Sequence, residues 1–527
     1  MAGPSSSYLF LGLACLLLFH ATTTTSQLEQ VTSQPSIQGQ GQQQHQPRHS
    51  QSLRRGEECR LDRLDVLEPS RRIEAEAGVT EIWDETHEQL VCAGVAFVRH
   101  IIQFRGLLLP AFTNAPEIFY VVRGRGLHGA AFPGCPETYE EQRSQDSQTR
   151  FQEGGIRGDR HQKVRRIRQG DILALPAGTT HWIYNDDQTE LVIVSMTHLS
   201  NHENQLDQNF RKFFLAGNPN QQEGQQGRRG GRWSSWRPRR FRGEGQQEEE
   251  SFGNILSGFD QQFISESFNV DPDVARRLQG REDNRGHIVE VQKELDIVHP
   301  EYREGEEERE WERERERERG WEGTERRRRF LRRAGERWNN GLEETICTAR
   351  LRENINNPVR ADVYNPRGGR FTTVNGFSLP ILQYLQLSAE RVVLYRDALL
   401  TPHYYMNCHG VVYCTRGNGR IQIVNEEGEN VFDGELQEGQ LIVVPQAYAV
   451  LKKAGQQGFE YISFRTNDQA MITPLAGRLS VLRGLPDDVL MNAYDVSRDE
   501  AKEIKYNREE LTVLSPQEGT RGLSMRD

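Results

Sequence analysis

Gly170-Asp171-Ile172-Leu173-Ala174-Leu175-Pro176-Ala177-Gly178-Thr179-Thr180-His181-Trp182-Ile183-Tyr184-Asn185 is the stretch whose reading decides the fold. Gly170 opens a turn, Asp171 to Leu175 has the length and apolar content of a buried strand, and Pro176-Ala177-Gly178 stops it. The flanks read the same way. Upstream, Glu117-Ile118-Phe119-Tyr120-Val121-Val122 is a strand broken by the Gly-rich turn Arg123-Gly124-Arg125-Gly126. Downstream, Leu191-Val192-Ile193-Val194 is a further buried strand, so residues 91–199 are all-β, with a surface loop from Glu137 to Arg160. Helical spacing follows, first over Gln205 to Leu215 and then over Asn254 to Gln279, where Asp271-Pro272-Asp273 reads as a helix start.

The second half repeats this order. Gly439-Gln440-Leu441-Ile442-Val443-Val444-Pro445 has the spacing of Gly170 to Pro176, and Leu399-Leu400-Thr401-Pro402 matches Leu108-Leu109-Pro110. Cys347 with Arg350-Leu351 matches Cys59 with its Arg-Leu, and a second helical region spans 476–507. Two copies of strands followed by helices predict a mainly β architecture of two jelly-roll barrels, each with a helical extension.

Composition frames the barrels. The apolar run Leu9 to Phe19, followed by small residues, reads as a signal peptide over 1–26 and places the rest in the secretory pathway. Residues 27–56 form a Gln-rich leader with too little apolar surface to offset ordering entropy. The first barrel and its extension are expected over 57–300, interrupted by a Gly/Gln/Arg-rich insertion at about 217–250. A Glu/Arg-dominated linker covers 301–340, and the second barrel with its extension covers 341–527. The formal net charge of −10 argues against nucleic acid as a partner. Among the 66 basic residues, Lys occurs only at 163, 212, 293, 452, 453, 502 and 505. With abundant Gln and Asn, that Arg bias fits a nitrogen reserve. Beyond Cys15 in the signal, Cys59, Cys92, Cys135, Cys347, Cys408 and Cys414 remain. The exported context makes disulfides the default, and sequence alone leaves their pairing open.

Gly170-x5-Pro176-x-Gly178-x2-His181-x3-Asn185 resembles the second signature motif of the cupins at every position. Cupin metalloenzymes place an H-x-H pair and a Glu in a first motif and a further His in the second, a ligand set suited to manganese or iron. Counting back from Gly124 puts Glu117 at the carboxylate and Ala111 and Thr113 at the H-x-H, so only Glu117 and His181 are retained. In the second half Gly410 replaces the Glu and Val450 the later His, with His403 and His409 nearby but out of position. The motif thus reads as vestigial: no metal, no cofactor, no catalytic residue, His181 a hydrogen-bonded barrel residue, and Pro176 and Gly178 turn formers. A secreted oxalate-degrading metalloenzyme and a small-ligand-binding cupin are the alternatives. No Gly-x-Ser-x-Gly elbow, P-loop or His-Glu-x-x-His is present.

Asn340-Gly341-Leu342-Glu343-Glu344-Thr345-Ile346-Cys347 closes the charged linker. An Asn-Gly bond there is a good protease target, with a thiol near enough to keep the products joined. The stretch resembles the processing junction of the legumin-type (11S) seed storage globulins, cut before Gly by an asparaginyl endopeptidase. The resemblance covers residues 59 to about 513. It implies a nutrient reservoir, not an enzyme, that forms a precursor trimer and, once cut, a hexamer in the protein storage vacuole of seeds. It also implies an intrachain disulfide Cys59–Cys92 and an interchain one Cys135–Cys347. Cys408 and Cys414, with no family partner, are left as free thiols or strand residues. The absence of an N-x-Ser/Thr sequon favours this family over the related 7S vicilins.

Overall fold

The computed structural model describes residues 59, 61–137, 139–140, 159–219, 253–293, 295, 297 and 346–516. The signal, the leader, most of the 217–250 insertion, the 301–340 linker and the Asn340–Gly341 bond lie outside the described residues. Among the described residues no helix is long and apolar enough to cross a membrane.

The first barrel is two facing sheets. Apart from a short separate hairpin of Tyr139–Glu140 with Arg160–His161, the first half supplies β1 (Arg71–Ala75), β2 (Gly78–Ile82), β3 (Val95–Ile102), β4 (Gly106–Thr113), β5 (Glu117–Arg123), β6 (Arg125–Ala131), β7 (Val164–Arg168), β8 (Asp171–Leu175), β9 (Thr180–Tyr184), β10 (Leu191–His198), β11 (Lys212–Phe214) and β12 (Ile288–Glu290). One sheet runs β1-β2-β3-β10-β5-β8 and the other β11-β4-β9-β6-β7, with β12 added to β4. Strands β8 and β10 are buried along their whole length, which is why they read as continuous apolar runs rather than alternating ones.

The second half supplies β13 (Arg352–Asn354), β14 (Val363–Asn365), β15 (Gly369–Val374), β16 (Ser388–Leu394), β17 (Leu399–Tyr405), β18 (Gly410–Val424), β19 (Asn430–Gln437), β20 (Leu441–Val444), β21 (Ala449–Arg465), β22 (Ile472–Pro474) and β23 (Val513–Leu514). All but β13 form one sheet in the order β14-β15-β16-β21-β17-β22, with β18 joining β19, β20 and β21, and β23 paired with β17.

The halves exchange their leading segments. β13 pairs antiparallel with β8 of the first barrel, Asp171 opposite Asn354. Conversely, Leu67 pairs with Leu441 of the second barrel, and Leu61 and Leu64 enter that barrel's core. The main core is continuous across both halves, joining Trp83, Phe97, Ile118 and Leu351 with Val411, Tyr413 and Phe464. Gly170 has φ +89°, and a Cβ there would collide with the side chain of Asn356 in the crossing segment. The first glycine of the motif thus makes room for the other half of the chain.

One helical expectation is corrected. Residues 205–215 form no helix; Asn204 and Asp207 cap turns by accepting from the N–H of Leu206 and Asn209, and the chain then enters β11. These short polar side chains offer the backbone a local alternative to helix. The 254–279 and 476–507 regions are helical as expected, each in short pieces, with a helix start at Asp271-Pro272. The first divides into a 3-10 turn (Ile255–Gly258), α2 (Gln261–Phe268) and α3 (Pro272–Leu278), α1 being the short helix Glu88–Ala93. Asn269 takes a left-handed φ of 51° and ends α2, and Pro272 starts α3. The second region divides into Val481–Gly484, Asp487–Tyr494 and Arg498–Tyr506, the last opened by a capping box between Ser497 and Glu500.

Candidate functional site

The Gly170–Asn185 motif folds around its turn. Gly178, at φ +74°, donates its N–H to Thr113 O at 2.9 Å, and Asn185 is buried and holds the next turn. Its Nδ2 donates to Ile102 O and Thr189 O at 2.9 and 2.8 Å, and its Oδ1 accepts from Asp187 N–H at 2.9 Å. Pro176, Gly178 and Asn185 therefore all serve backbone geometry.

His181 on β9 and Glu117 on β5 point into the first barrel, 2% and 3% exposed. His181 makes no hydrogen bond through either ring nitrogen, contrary to the expectation of a hydrogen-bonded residue. It packs instead edge-on against Phe119, with centroids 5.1 Å apart, and beside His128 at 5.7 Å. The barrel lining there is aromatic because strand alternation brings Phe119 and His128 inward, and they fill the space a polar partner would need. Burial, with Lys212 and His128 beside it, keeps the His181 imidazole neutral, its pKa well below the ordinary value. Burial drives His128 down to about 3. The Glu117 carboxyl is raised by burial, opposed by the ammonium of Lys212 and by Ser195 and Thr113. Lys212 reaches this pocket because β11 pairs with β4, Lys212 opposite Thr113. Its pKa is lowered by burial and partly restored by Glu117. A second polar knot adjoins it, where Thr80 Oγ1 contacts His100 Nδ1 at 2.7 Å and His287 Nε2 at 2.6 Å.

The second barrel holds a different polar set. His403 lies opposite Val450, as Ala111 lies opposite His181. Its place is therefore that of Ala111, the first His of the metal-binding pattern, and the sequence count that put it out of position is corrected. The segment from Tyr405 to Gly410 is one residue longer than that from Thr113 to Glu117, so counting back from the Gly turn slips the register. Around His403, Lys452 Nζ donates to Tyr405 Oη at 3.1 Å, Arg465 lies over the Tyr405 ring at 3.8 Å, and Arg465 pairs with Glu390. Burial lowers Lys452 to about 7, against the pull of Glu390 and with the push of Arg465. Cys408 and Cys414 are free and buried, with thiols pushed up to about 11 and about 12 chiefly by burial. Cys414 lies in β18.

The residues present do not fit a cupin metal. Ala111 and Thr113 offer no imidazole, and the ammonium of Lys212 already faces Glu117. In the second barrel the basic side chains of Lys452 and Arg465 crowd His403. Among the described residues, the single group of His, Cys, Asp or Glu with ligand atoms close enough to share an ion is Cys59, Cys92 and His409, none of them at a ligand position of either barrel motif. The sulfurs of that pair are bonded to each other, as are those of Cys135 and Cys347.

Sequence reasoning missed Lys212, His128, His100 and His287 in one barrel and Glu390, Lys452 and Arg465 in the other. The scarcity of lysine was the usable signal. In a chain that fills solvated positions with Arg, Lys212 and Lys452 stand inside strand patterns.

Comparison with known proteins places this geometry. The cupin family profile matches residues 64–221 and 353–502. An 11S globulin seed storage protein 1 of Carya illinoinensis is 50% identical over 461 residues, covering 87% of this chain and 90% of its own. The crystal structure of pumpkin seed globulin superposes with a TM-score of 0.70 at 41% identity, over 87% of this chain and 100% of that one. A recombinant pro-11S globulin of pumpkin superposes with a TM-score of 0.69 at 42% identity, over 87% and 99%.

Proposed function

Because this chain belongs to the 11S, legumin-type seed storage globulins, built on cupin domains, we propose that its barrels are held for bulk storage and that one cut converts it from precursor to mature form. Seed storage is its function, and its homologues are storage globulins rather than enzymes. The observation that carries the reading is the Cys135–Cys347 bond, 212 residues apart in sequence. It ties the first half to a residue just beyond Asn340–Gly341, so both products of a cut there stay covalently joined. The cut is assigned to an asparaginyl endopeptidase acting on Asn340, with Cys59–Cys92 remaining inside the first product. The pumpkin relative is described as a pro-form, which supports a precursor here.

The segmentation proposed is a signal over 1–26, a leader over 27–56, a first barrel unit over 57–300, a linker over 301–340 and a second barrel unit over 341–527. Oligomers suit the helical regions. Phe259, Phe263 and Phe268 are more than half exposed, as are Leu479 and Tyr494 in the second set. Such apolar surfaces on paired extensions suit a precursor trimer, with a hexamer forming after the cut. The destination is a seed storage compartment, and we assign it to the protein storage vacuole.

Electrophoresis with and without reductant tests the reading. Mature protein should run as one unit without reductant and as two chains with it, the smaller beginning at Gly341. Asn340→Gln should block the cut and leave trimers in sedimentation. A second chain beginning elsewhere, or hexamers from uncut protein, would overturn it.

A further inference from the structure

The arm at residues 61–67 crosses to the second barrel and is fastened at its start by Cys59–Cys92, Cys92 lying in α1 of the first half. Leu61 and Leu64 belong to the second barrel's core. Leu61 N–H donates to Tyr448 Oη at 3.3 Å, and Leu64 N–H donates to Val431 O at 2.9 Å. The arm is a strap over the second barrel, and the disulfide is its buckle.

His409 stands beside the buckle. A ring nitrogen of His409 and both sulfurs all lie within 4.8 Å of one another, and none of the three residues is fully buried. His409 Nδ1 accepts from the N–H of Gln446 at 3.2 Å, which puts the ring proton on Nε2. A neutral imidazole with a fixed Nε2–H is a donor suited to a thiolate and poorly suited to a metal, which would need that nitrogen bare. Among the described residues, Cys135 and Cys347 have no His, Cys or carboxylate placed in this way.

We propose that Cys59–Cys92 is a thiol–disulfide exchange site, that a dithiol reductant opens it to release the strap, and that His409 is the positioning residue that stabilises the departing thiolate. One thiolate of the dithiol attacks Sγ of one cysteine and forms a mixed disulfide. The partner sulfur leaves with the electron pair of the broken S–S bond and accepts the Nε2–H hydrogen bond, then a proton from solvent. The second thiol of the dithiol gives its proton to solvent and attacks the dithiol's own sulfur in the mixed disulfide. That step closes the oxidised reductant and frees the second cysteine. Two electrons pass from dithiol to cystine, and His409 is unchanged at the end. With the buckle open, Leu61 and Leu64 hold the strap by packing and hydrogen bonds alone.

The test uses full-length protein with limiting dithiothreitol, timed alkylation, and mass spectrometry of the peptides carrying Cys59, Cys92, Cys135 and Cys347. His409→Ala should slow reduction of Cys59–Cys92 by about tenfold, the worth of one hydrogen bond to a thiolate. It should leave Cys135–Cys347 at its wild-type rate, which controls for a change in folding. His409→Gln, which keeps an N–H donor, should recover most of the rate. Arg63 is already exposed, so selective reduction of the wild type should speed tryptic cleavage after it by freeing the backbone of the strap. An unchanged rate in His409→Ala, equal slowing of both disulfides, or a strap that stays protected after reduction would overturn the proposal.

Discussion

His403 stands across from Val450 in the second barrel in the register by which Ala111 stands across from His181 in the first. Each barrel thus keeps one imidazole of the metal-binding pattern, on opposite strands of the equivalent pair. Neither keeps enough ligands for an ion. Purified protein should carry far less than stoichiometric manganese, iron or zinc by elemental analysis. A stoichiometric metal that His181→Ala removes would refute this.

His181 is buried with both nitrogens unpaired. Replacing it with Leu removes polar atoms that gain nothing from burial and keeps most of the volume. His181→Leu should raise stability by about 1 kcal/mol in urea unfolding. A loss of similar size would mean that the imidazole has a partner.

Acid should weaken the first barrel through its histidines. His128 and His287 are both lowered to about 3 by burial. Their unfolded forms take a proton near pH 6.5, whereas the folded forms stay neutral to about pH 3. The stability they contribute is therefore complete above the unfolded value and is lost as pH falls toward the folded one. The loss per group is at most about 1.4 kcal/mol per pH unit in that window. His128→Phe should flatten the fall between pH 6 and pH 4, read by denaturant midpoints across roughly that range.

Lys452 gives the same sign at higher pH. Burial lowers it to about 7 from an ordinary 10.5, so folding favours the neutral amine. Stability should then rise with pH between about 7 and 10, where the unfolded ammonium must lose its proton to fold. Lys452→Met should remove that rise and should stabilise the protein at neutral pH. A steeper slope in Lys452→Met would contradict the assignment.

Asp171 joins the halves. Fully buried, it accepts from Arg352 Nη1 at 3.0 Å, from Asn354 Nδ2 at 2.7 Å and from the N–H of Arg168 at 2.9 Å. Asp171→Ala removes the buried carboxylate that these donors share and should cost about 3 kcal/mol. The measurement is the melting temperature, together with protease sensitivity of the 351–356 segment. A shift smaller than that of an exposed control such as Asp273→Ala would show that the crossing strand is held by packing alone.

The barrel strands were legible because burial on both faces turns them into unbroken apolar runs, as in Ile172 to Leu175 and Val411 to Tyr413. The repeat was legible because the same turn residues recur at Gly170 and Gly439. What escaped was the partner of each strand. Nothing in Arg352-Glu353-Asn354 says that it pairs with Asp171-Ile172-Leu173, because pairing depends on where the chain returns rather than on local pattern. Residues 205–215 were misread for a related reason. The helical spacing of Leu206, Phe210, Phe213 and Phe214 is real, but side-chain caps at Asn204 and Asp207 hold the backbone in turns, and pairing with β4 takes up the last residues. In the site, Glu117 and His181 could be found from motif spacing. Lys212 could not be assigned to Glu117 because it arrives on a strand added from beyond the barrel motif.

The exchanged segments change what it means to break this chain. After a single break between the halves, the second fragment still supplies a strand to the first barrel's sheet, and the first supplies a bridge at Leu67 and the core side chains of Leu61 and Leu64 to the second barrel. The products would be born as a folded heterodimer with no encounter step, and they could not part without both barrels opening. Their rate of separation would be the rate of unfolding, so their lifetime together would be set by kinetic stability rather than by an interface affinity. Stoichiometry between the two fragments would be fixed at birth and would persist even with every disulfide reduced.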